Sequence, residues 1–214
     1  MLLTRARVLV SRPIRRMRFT RSGDYWEQRY AASGNSGAGS YGQVAQFKAD
    51  TLNRFVEDHR LESVIEFGCG DGNQLAQARY PQYTGLDVSR SSVTMCADRF
   101  AADDSKSFLY YDPAHFVNHG ALRADLALSL DVILHLVEDR VFERHMRQLF
   151  EASTSYVAVF SSDQDDLRSE PHVRHRRFTR WIEANQPSWK LISRVENPFK
   201  GPDTLADFFI YARR

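Results

Sequence analysis

VIEFGCGDGNQL, residues 64–75, reads as a buried strand, a glycine turn and the start of a helix. Val64, Ile65 and Phe67 surround a single acid, Glu66, and then Gly68, Gly70 and Gly72 alternate with Cys69 and Asp71. Bare glycines let a backbone turn sharply and let another molecule lie against it without meeting a Cβ. The spacing is G-x-G-x-G, not the G-x-G-x-x-G of dinucleotide-binding turns. Taken alone, the stretch says only that a ligand approaches the main chain.

Outward from it, apolar runs and helical spacings alternate. Residues 43–59 place Val44, Phe47, Leu52, Phe55 and Val56 near one helical face, which predicts a core-packing helix before the turn. After the turn the pattern predicts a helix from about 73, a strand in YTGLDV (83–88), a helix over 91–100 and a strand in SFLYYD (107–112). A strand in DLALSL (125–130), a helix over about 138–151 and a strand in SYVAVF (155–160) follow. Strands separated by helices pair in parallel through right-handed crossovers, giving an open sheet with helices on both faces. Such sheets bind ligands at the carboxyl ends of their strands. The tail breaks the alternation. After a polar loop (161–177) and a helix near 176–185, WKLISRVEN and TLADFFIYAR flank the turn PFKGPD, which predicts two antiparallel strands.

A chain of 214 residues fits one domain. Its 43% hydrophobic content is that of a globular protein, and no apolar run approaches the roughly 18 residues that span a bilayer. Cys69 and Cys96 have neither metal-ligand nor disulfide-framework spacing, so a reducing, cytoplasmic setting is expected. Residues 1–21 hold seven arginines and no acid, and without them the chain has 22 basic against 27 acidic residues. The division expected is a basic arm over 1–22 and a single domain over 23–214. A mildly acidic body argues against a general nucleic-acid face and leaves any attraction to phosphate in the arm. An arginine-rich segment free of acid also fits a transit peptide, but Pro13 interrupts a long amphipathic helix and favours an exposed or interfacial arm. Residues 23–42, aromatic and then rich in Gly and Ser, read as a loop whose Tyr25, Trp26, Tyr30 and Tyr41 cover either the core edge or a ligand.

Two further acids extend the motif. Asp87 ends the second strand in GLDVS, where a carboxylate can accept from both hydroxyls of a ribose, and Asp112, ending the third in YYDPAHF, can accept from an exocyclic amine. Each could instead cap a helix. With Glu66, the G-x-G-x-G turn, SLDVILHL after the fourth strand and the antiparallel tail, the chain from about residue 40 onward resembles the class I S-adenosylmethionine-dependent methyltransferases. The resemblance implies an α/β, Rossmann-like sheet of seven strands, mostly parallel with an antiparallel last strand, and S-adenosyl-L-methionine as cofactor. It implies that the backbone around Gly68, Cys69, Gly70 and Gly72 lies beside the methionine part with Glu66 close by, that Asp87 holds the ribose, that Val88 and Asp112 flank the adenine and that Leu130 and Asp131 line the sulfonium end, with Asn73 and Ser89 also binding the cofactor. Gly39, Ser40, Tyr41 and Gly42 would close over the cofactor carboxylate.

Methyl transfer from a sulfonium needs alignment, plus removal of a proton when the acceptor is a hydroxyl. His135, just past the fourth strand, is the first candidate base, with packing under the following helix as the alternative. His172 and His175 form the second catalytic group. With Arg174, Arg176 and Arg177 they would grip a phosphate or carboxylate of the acceptor, or simply form a solvated basic helix start. SLDV stands where an N/D-P-P-Y motif would mark methylation of a nucleic-acid base amine, and no carboxylate set suggests a catalytic metal. The combination of GSYG, GCGDGNQL, DVILHL and HVRHR is similar to bacterial methyltransferases associated with surface-glycan assembly. That implies a small-molecule or glycan hydroxyl as acceptor and suits the basic arm to an anionic membrane surface. Methylation of protein or RNA, and a cofactor-binding module without activity, are the alternatives.

Overall fold

The computed structural model describes residues 19–165, 170–201 and 204–214, so nearly all of the predicted basic arm lies outside the described residues. A seven-stranded sheet runs in the order β3-β2-β1-β4-β5-β7-β6, with β1 (Ser63–Phe67) near its centre. To one side lie β2 (Gln82–Asp87) and β3 (Lys106–Tyr110), and to the other β4 (Ala124–Leu130) and β5 (Ser153–Ser161), all parallel. The tail supplies β6 (Trp189–Val195) and β7 (Asp207–Arg213), and β7 enters antiparallel between β5 and β6. This is the predicted architecture.

Alternation along the strands serves two cores. Ile65 and Phe67 of β1 and Val157 and Val159 of β5 pack with Phe142, Met146 and Leu149 of α4 (Asp139–Glu151), and with Phe178 and Ile182 of α5 (Phe178–Asn185). Val64, Leu126, Leu128 and Phe160 face the other way, toward Leu52 and Val56 of α2 (Gly42–Asp58) and Cys96 of α3 (Arg90–Arg99). Both faces of the central strands are therefore apolar, as parallel strands under helices require. Phe67, Phe160 and Phe208 are fully buried, each contributing about 1.5–3 kcal/mol.

Three expectations need correction. Residues 23–42 are not a loop throughout: α1 (Ser22–Ala31) is a ten-residue helix, and a 3-10 turn (Ala38–Ser40) follows. Ser22, assigned by its basic neighbours to the arm, begins that helix and is buried. The helix expected from 73 is only a 3-10 turn (Leu75–Gln77). Asn73 Nδ2 donates to Ser40 O and Gln74 Nε2 to Ala45 O, which ties this segment to its neighbours, and Pro81 forces Tyr80 out of helical conformation.

The core also buries a titratable group. His145 of α4 lies against β4, its Nε2 2.9 Å from Ser129 Oγ, while Nδ1 has no partner. Burial lowers its pKa from 6.5 to about 4. A group that binds protons less readily folded than unfolded stabilises fully above the unfolded pKa and loses that contribution as pH falls through the folded one. Relative to His145→Gln, the native protein should lose up to about 3 kcal/mol of stability between about pH 7 and pH 4, read by urea unfolding across that window. Parallel curves for the two proteins would show that His145 does not titrate on unfolding.

Candidate active site

The turn after β1 is left-handed at each glycine, with φ of 94° at Gly68, 59° at Gly70 and 72° at Gly72. A Cβ at Gly68 would stand 2.4 Å from Val132 Cγ2, and one at Gly70 2.3 Å from Ser36 Oγ. No other residue fits these positions without displacing a neighbour. The amide of Gly70 donates to Asp87 Oδ2 at 2.9 Å, and the amide of Ser89 donates to Oδ1 at 2.9 Å, so the acid ending β2 is locked against the turn. Burial raises the Asp87 pKa to about 6 against those hydrogen bonds. Glu66 is pushed up to about 7 by burial, although the Tyr83 hydroxyl donates to it at 2.7 Å and Lys48 lies near.

A crevice of about 820 Å³, counting its open mouth, lies here, at the carboxyl ends of β1, β2 and β4. Of the cofactor residues inferred from sequence, Glu66, Gly68, Cys69, Gly70, Asp87, Val88, Leu130 and Asp131 line it. Tyr41, Gly72, Asn73, Ser89 and Asp112 do not. Tyr41 donates its hydroxyl to Asp71 at 2.7 Å, and Gly72 packs against Phe100 and Cys96. Asn73 holds Ser40, and Ser89 caps α3 by accepting from Ser92 N. Asp112 lies two residues beyond the end of β3, bonded to His115 Nδ1 at 2.7 Å, on an adjoining open cavity. Gln74 Oε1, in the crevice wall, is a buried acceptor without a donor. Two buried carboxyls, that orphaned acceptor and a bare glycine backbone fit a ligand carrying hydroxyls, a donor and positive charge.

The sequence pattern marks Trp26 and Tyr30 as a cover for core edge or ligand but not the helix that carries them, and it does not mark Lys48. Helix α1 roofs the crevice with Gly23, Trp26 and Tyr30. At one end Ser22 donates its amide and hydroxyl to Glu138, at 3.0 and 2.6 Å. Further along, Glu27 accepts from the hydroxyls of Ser89 and Ser91, each at 2.7 Å. Helical spacing of Trp26 and Tyr30 is the signal that was available. On the floor, Lys48 of α2 is 1% exposed and donates to Asp131 Oδ2 at 2.8 Å. It shares the buried face of Ala45, Ala49 and Leu52, a position where a lysine needs a partner. Asp131 itself is left-handed, with φ of 58°, and Gly39 makes room for it, since a Cβ there would lie 2.6 Å from Asp131 Oδ2.

His135 closes the 3-10 turn Ile133–His135 after β4 and lines both the crevice and a second cavity of about 1280 Å³, counting its open mouth. Its Nδ1 lies 3.0 Å from His172 O. A carbonyl only accepts, so Nδ1 carries the proton and the neutral ring keeps a lone pair on Nε2. Burial lowers its pKa to about 4, and the charge of Arg29 contributes to the lowering. His172 stacks on His135 with ring centroids 5.7 Å apart, and Tyr25 stacks on His172 at 4.5 Å. His172 and His175 both line the second cavity, and His175 Nδ1 pairs with Ser162 Oγ at 2.6 Å. The expected arginine grip does not form at Arg174 and Arg176. Both reach Asp139 Oδ1, and they donate to the carbonyls of Val137 and of Leu136 and Val137. Their charge holds the turn after His135; Arg177 is tied through its amide to Asp165.

Residues 41–195 match the family described as "Methyltransferase domain". The chain belongs to that family. Its fold is that of N-methyltransferase NodS from Bradyrhizobium japonicum, solved with S-adenosyl-L-homocysteine, at TM-score 0.70 and 13% identity over 91% of this chain and 99% of that one. Magnesium protoporphyrin IX methyltransferase from Synechocystis, solved with S-adenosylmethionine, superposes at TM-score 0.66 with 15% identity over 92% and 99%. The methyltransferase domain of a bacterial Hen1 follows at 0.58 and 20%, over 78% and 97%. A search of curated proteins finds no match.

The floor of this methyltransferase site is open to test. Lys48→Met leaves Asp131 without its cation and should destabilise the protein by about 3–5 kcal/mol in urea unfolding. Adding Asp131→Asn should recover part of that loss, and equal losses in the single and double variants would show that the pair is not coupled.

Proposed function

We propose that the protein transfers the methyl group of S-adenosylmethionine to a hydroxyl of a small molecule or sugar, with His135 as the base. The observation that carries this is the place of His135, whose neutral ring stands on the wall common to the crevice and the second cavity. When bound, the cofactor supplies a methyl group on positively charged sulfur, open to direct displacement by an aligned oxygen. Asp87 accepts from ribose hydroxyls, Glu66 and Gln74 Oε1 face the donor's cationic end, and Asp131 with Lys48 forms the floor. Trp26 and Tyr30 close the roof and exclude water. His135 Nε2 takes the acceptor's hydroxyl proton while Nδ1 stays hydrogen-bonded to His172 O, so the ring keeps its orientation as it gains charge.

Arg29, Ser162, Glu170, His172, His175 and Thr204 make the second cavity's wall largely polar, which suits a hydroxylated acceptor. A surface-glycan acceptor rests on the sequence resemblance, to which this polar wall adds support.

Calorimetric titration with S-adenosylhomocysteine should show binding that Asp87→Ala weakens by at least about tenfold, the value of one or two hydrogen bonds to ribose. Normal affinity in that variant would sink the donor assignment. With the best hydroxylated acceptor from a product-release screen, His135→Gln should turn over about a hundredfold or more slowly at unchanged S-adenosylhomocysteine affinity. An unaltered rate would pass the role to His172 or His175.

A further inference from the structure

Arg29 stands on the wall of the acceptor cavity, held in place and not neutralised. Its Nε donates to Asn35 O at 2.6 Å, Nη2 to Asn35 Oδ1 at 3.3 Å and Nη1 to the Tyr25 hydroxyl at 3.2 Å. All three partners are uncharged. A guanidinium has five N–H groups, so two remain to donate. Among the described residues no carboxylate pairs with it. The guanidinium carbon lies 5.3 Å from the Trp26 ring centroid, and the segment after α1 wraps the side chain closely. A Cβ at Gly34 would fall 2.6 Å from Arg29 O and 2.8 Å from its Cγ. The chain thus fixes the direction of a planar cation on the wall of the cavity.

Its surroundings sharpen the point. Arg174 and Arg176, on the segment that carries His175, are engaged by Asp139 and backbone carbonyls. Among the described residues the acids on the cavity wall are Asp131, which Lys48 neutralises, and the exposed Glu170; the other titratable groups described there are His135, His172 and His175. The charge of Arg29 opposes protonation of both His135 and His172. A fixed guanidinium with open donors is a geometry matched to the two oxygens of a carboxylate or phosphate.

We infer that the methyl acceptor carries an oxyanion, phosphate or carboxylate, and that Arg29 binds it and so sets which hydroxyl reaches His135. This rests on the reading of the second cavity as the acceptor site. An anion on Arg29 also removes one of the charges that weaken His135 as a base, so the acceptor itself prepares the group that deprotonates it. A neutral acceptor would do neither.

The test uses the full chain saturated with S-adenosylhomocysteine, with inorganic phosphate in one arm and acetate in the other, against chloride at equal ionic strength. NMR follows the Arg29 Nε–H and the histidine ring signals. Saturable shifts of Arg29 and His135 are expected, with binding about tenfold or more weaker in Arg29→Gln and partly recovered in Arg29→Lys, which keeps the charge and loses the fork. The anion that binds more tightly identifies the group on the acceptor. No saturable shift in either arm, or equal affinity in Arg29→Gln, overturns the assignment. Calorimetry with S-adenosylhomocysteine on each variant keeps the outcomes apart. A protein that fails to bind it contradicts the donor reading, whereas one that binds it and ignores both anions contradicts Arg29 alone.

Discussion

One contact sets the rest of the site: the amide of Gly70 on the carboxylate of Asp87. It joins the turn after β1 to the end of β2, and it exists only because three left-handed glycines bring bare backbone to that point. The same turn leaves no room for a side chain at Gly68, beneath Val132, or at Gly70, beneath Ser36. Val132 belongs to the segment after β4 and Ser36 to the segment after α1. A constraint on a few backbone angles therefore fixes floor, wall and roof together, and a side chain at either glycine would disturb all three.

The roof is polar where it meets the body and aromatic where it meets the cavity. Ser22 to Glu138 and Glu27 to Ser89 and Ser91 are side-chain contacts at a partly exposed edge, each of modest strength in water. Beneath them Trp26 meets His135 edge-on at 4.9 Å and stacks on Tyr30 at 5.7 Å. The roof therefore rests on polar contacts at its rim and on aromatic packing beneath, with Tyr30 buried.

The sheet was legible because its central strands are apolar on both faces and its turn is written in glycine. The antiparallel tail was legible from two apolar runs and a Pro/Gly turn. Helix α1 was not, because its large residues face a cavity instead of the core and Gly-rich sequence follows directly. The missing helix after Gly72 followed from side chains, Asn73 and Gln74, whose partners lie about 30 residues away in the chain. Of the residues that line the crevice, Gly68, Gly70, Asp87 and His135 could be named from sequence because their backbone or strand-end position matters. Residues defined by a distant partner could not. Lys48 needs Asp131, 83 residues on, and Arg174 and Arg176 bind carbonyls nearly 40 residues back. Ser89 and Asn73 sit beside the motif in sequence, yet a helix cap and a loop tie take up their side chains.

The two cavities differ in the charge they leave unbalanced. In the crevice, Glu66 and Asp87 are buried while Lys48, the nearby cation, is paired with Asp131. Burial raises both carboxyls, and a positive ligand would reverse that by favouring their ionised forms. In the second cavity no carboxylate among the described residues pairs with Arg29, and burial favours the neutral forms of His135 and His172, so negative charge is favoured there instead. His135, Asp131, Ser36 and Trp26 line both cavities and form the boundary between these fields. On the proposed reading, a cationic donor and an anionic acceptor would approach one imidazole from these two sides. If His135 is the base, loss of the donor's positive charge would weaken the attraction of Glu66 and Asp87 for the product, and the ring beside them would become cationic as it takes the acceptor's proton.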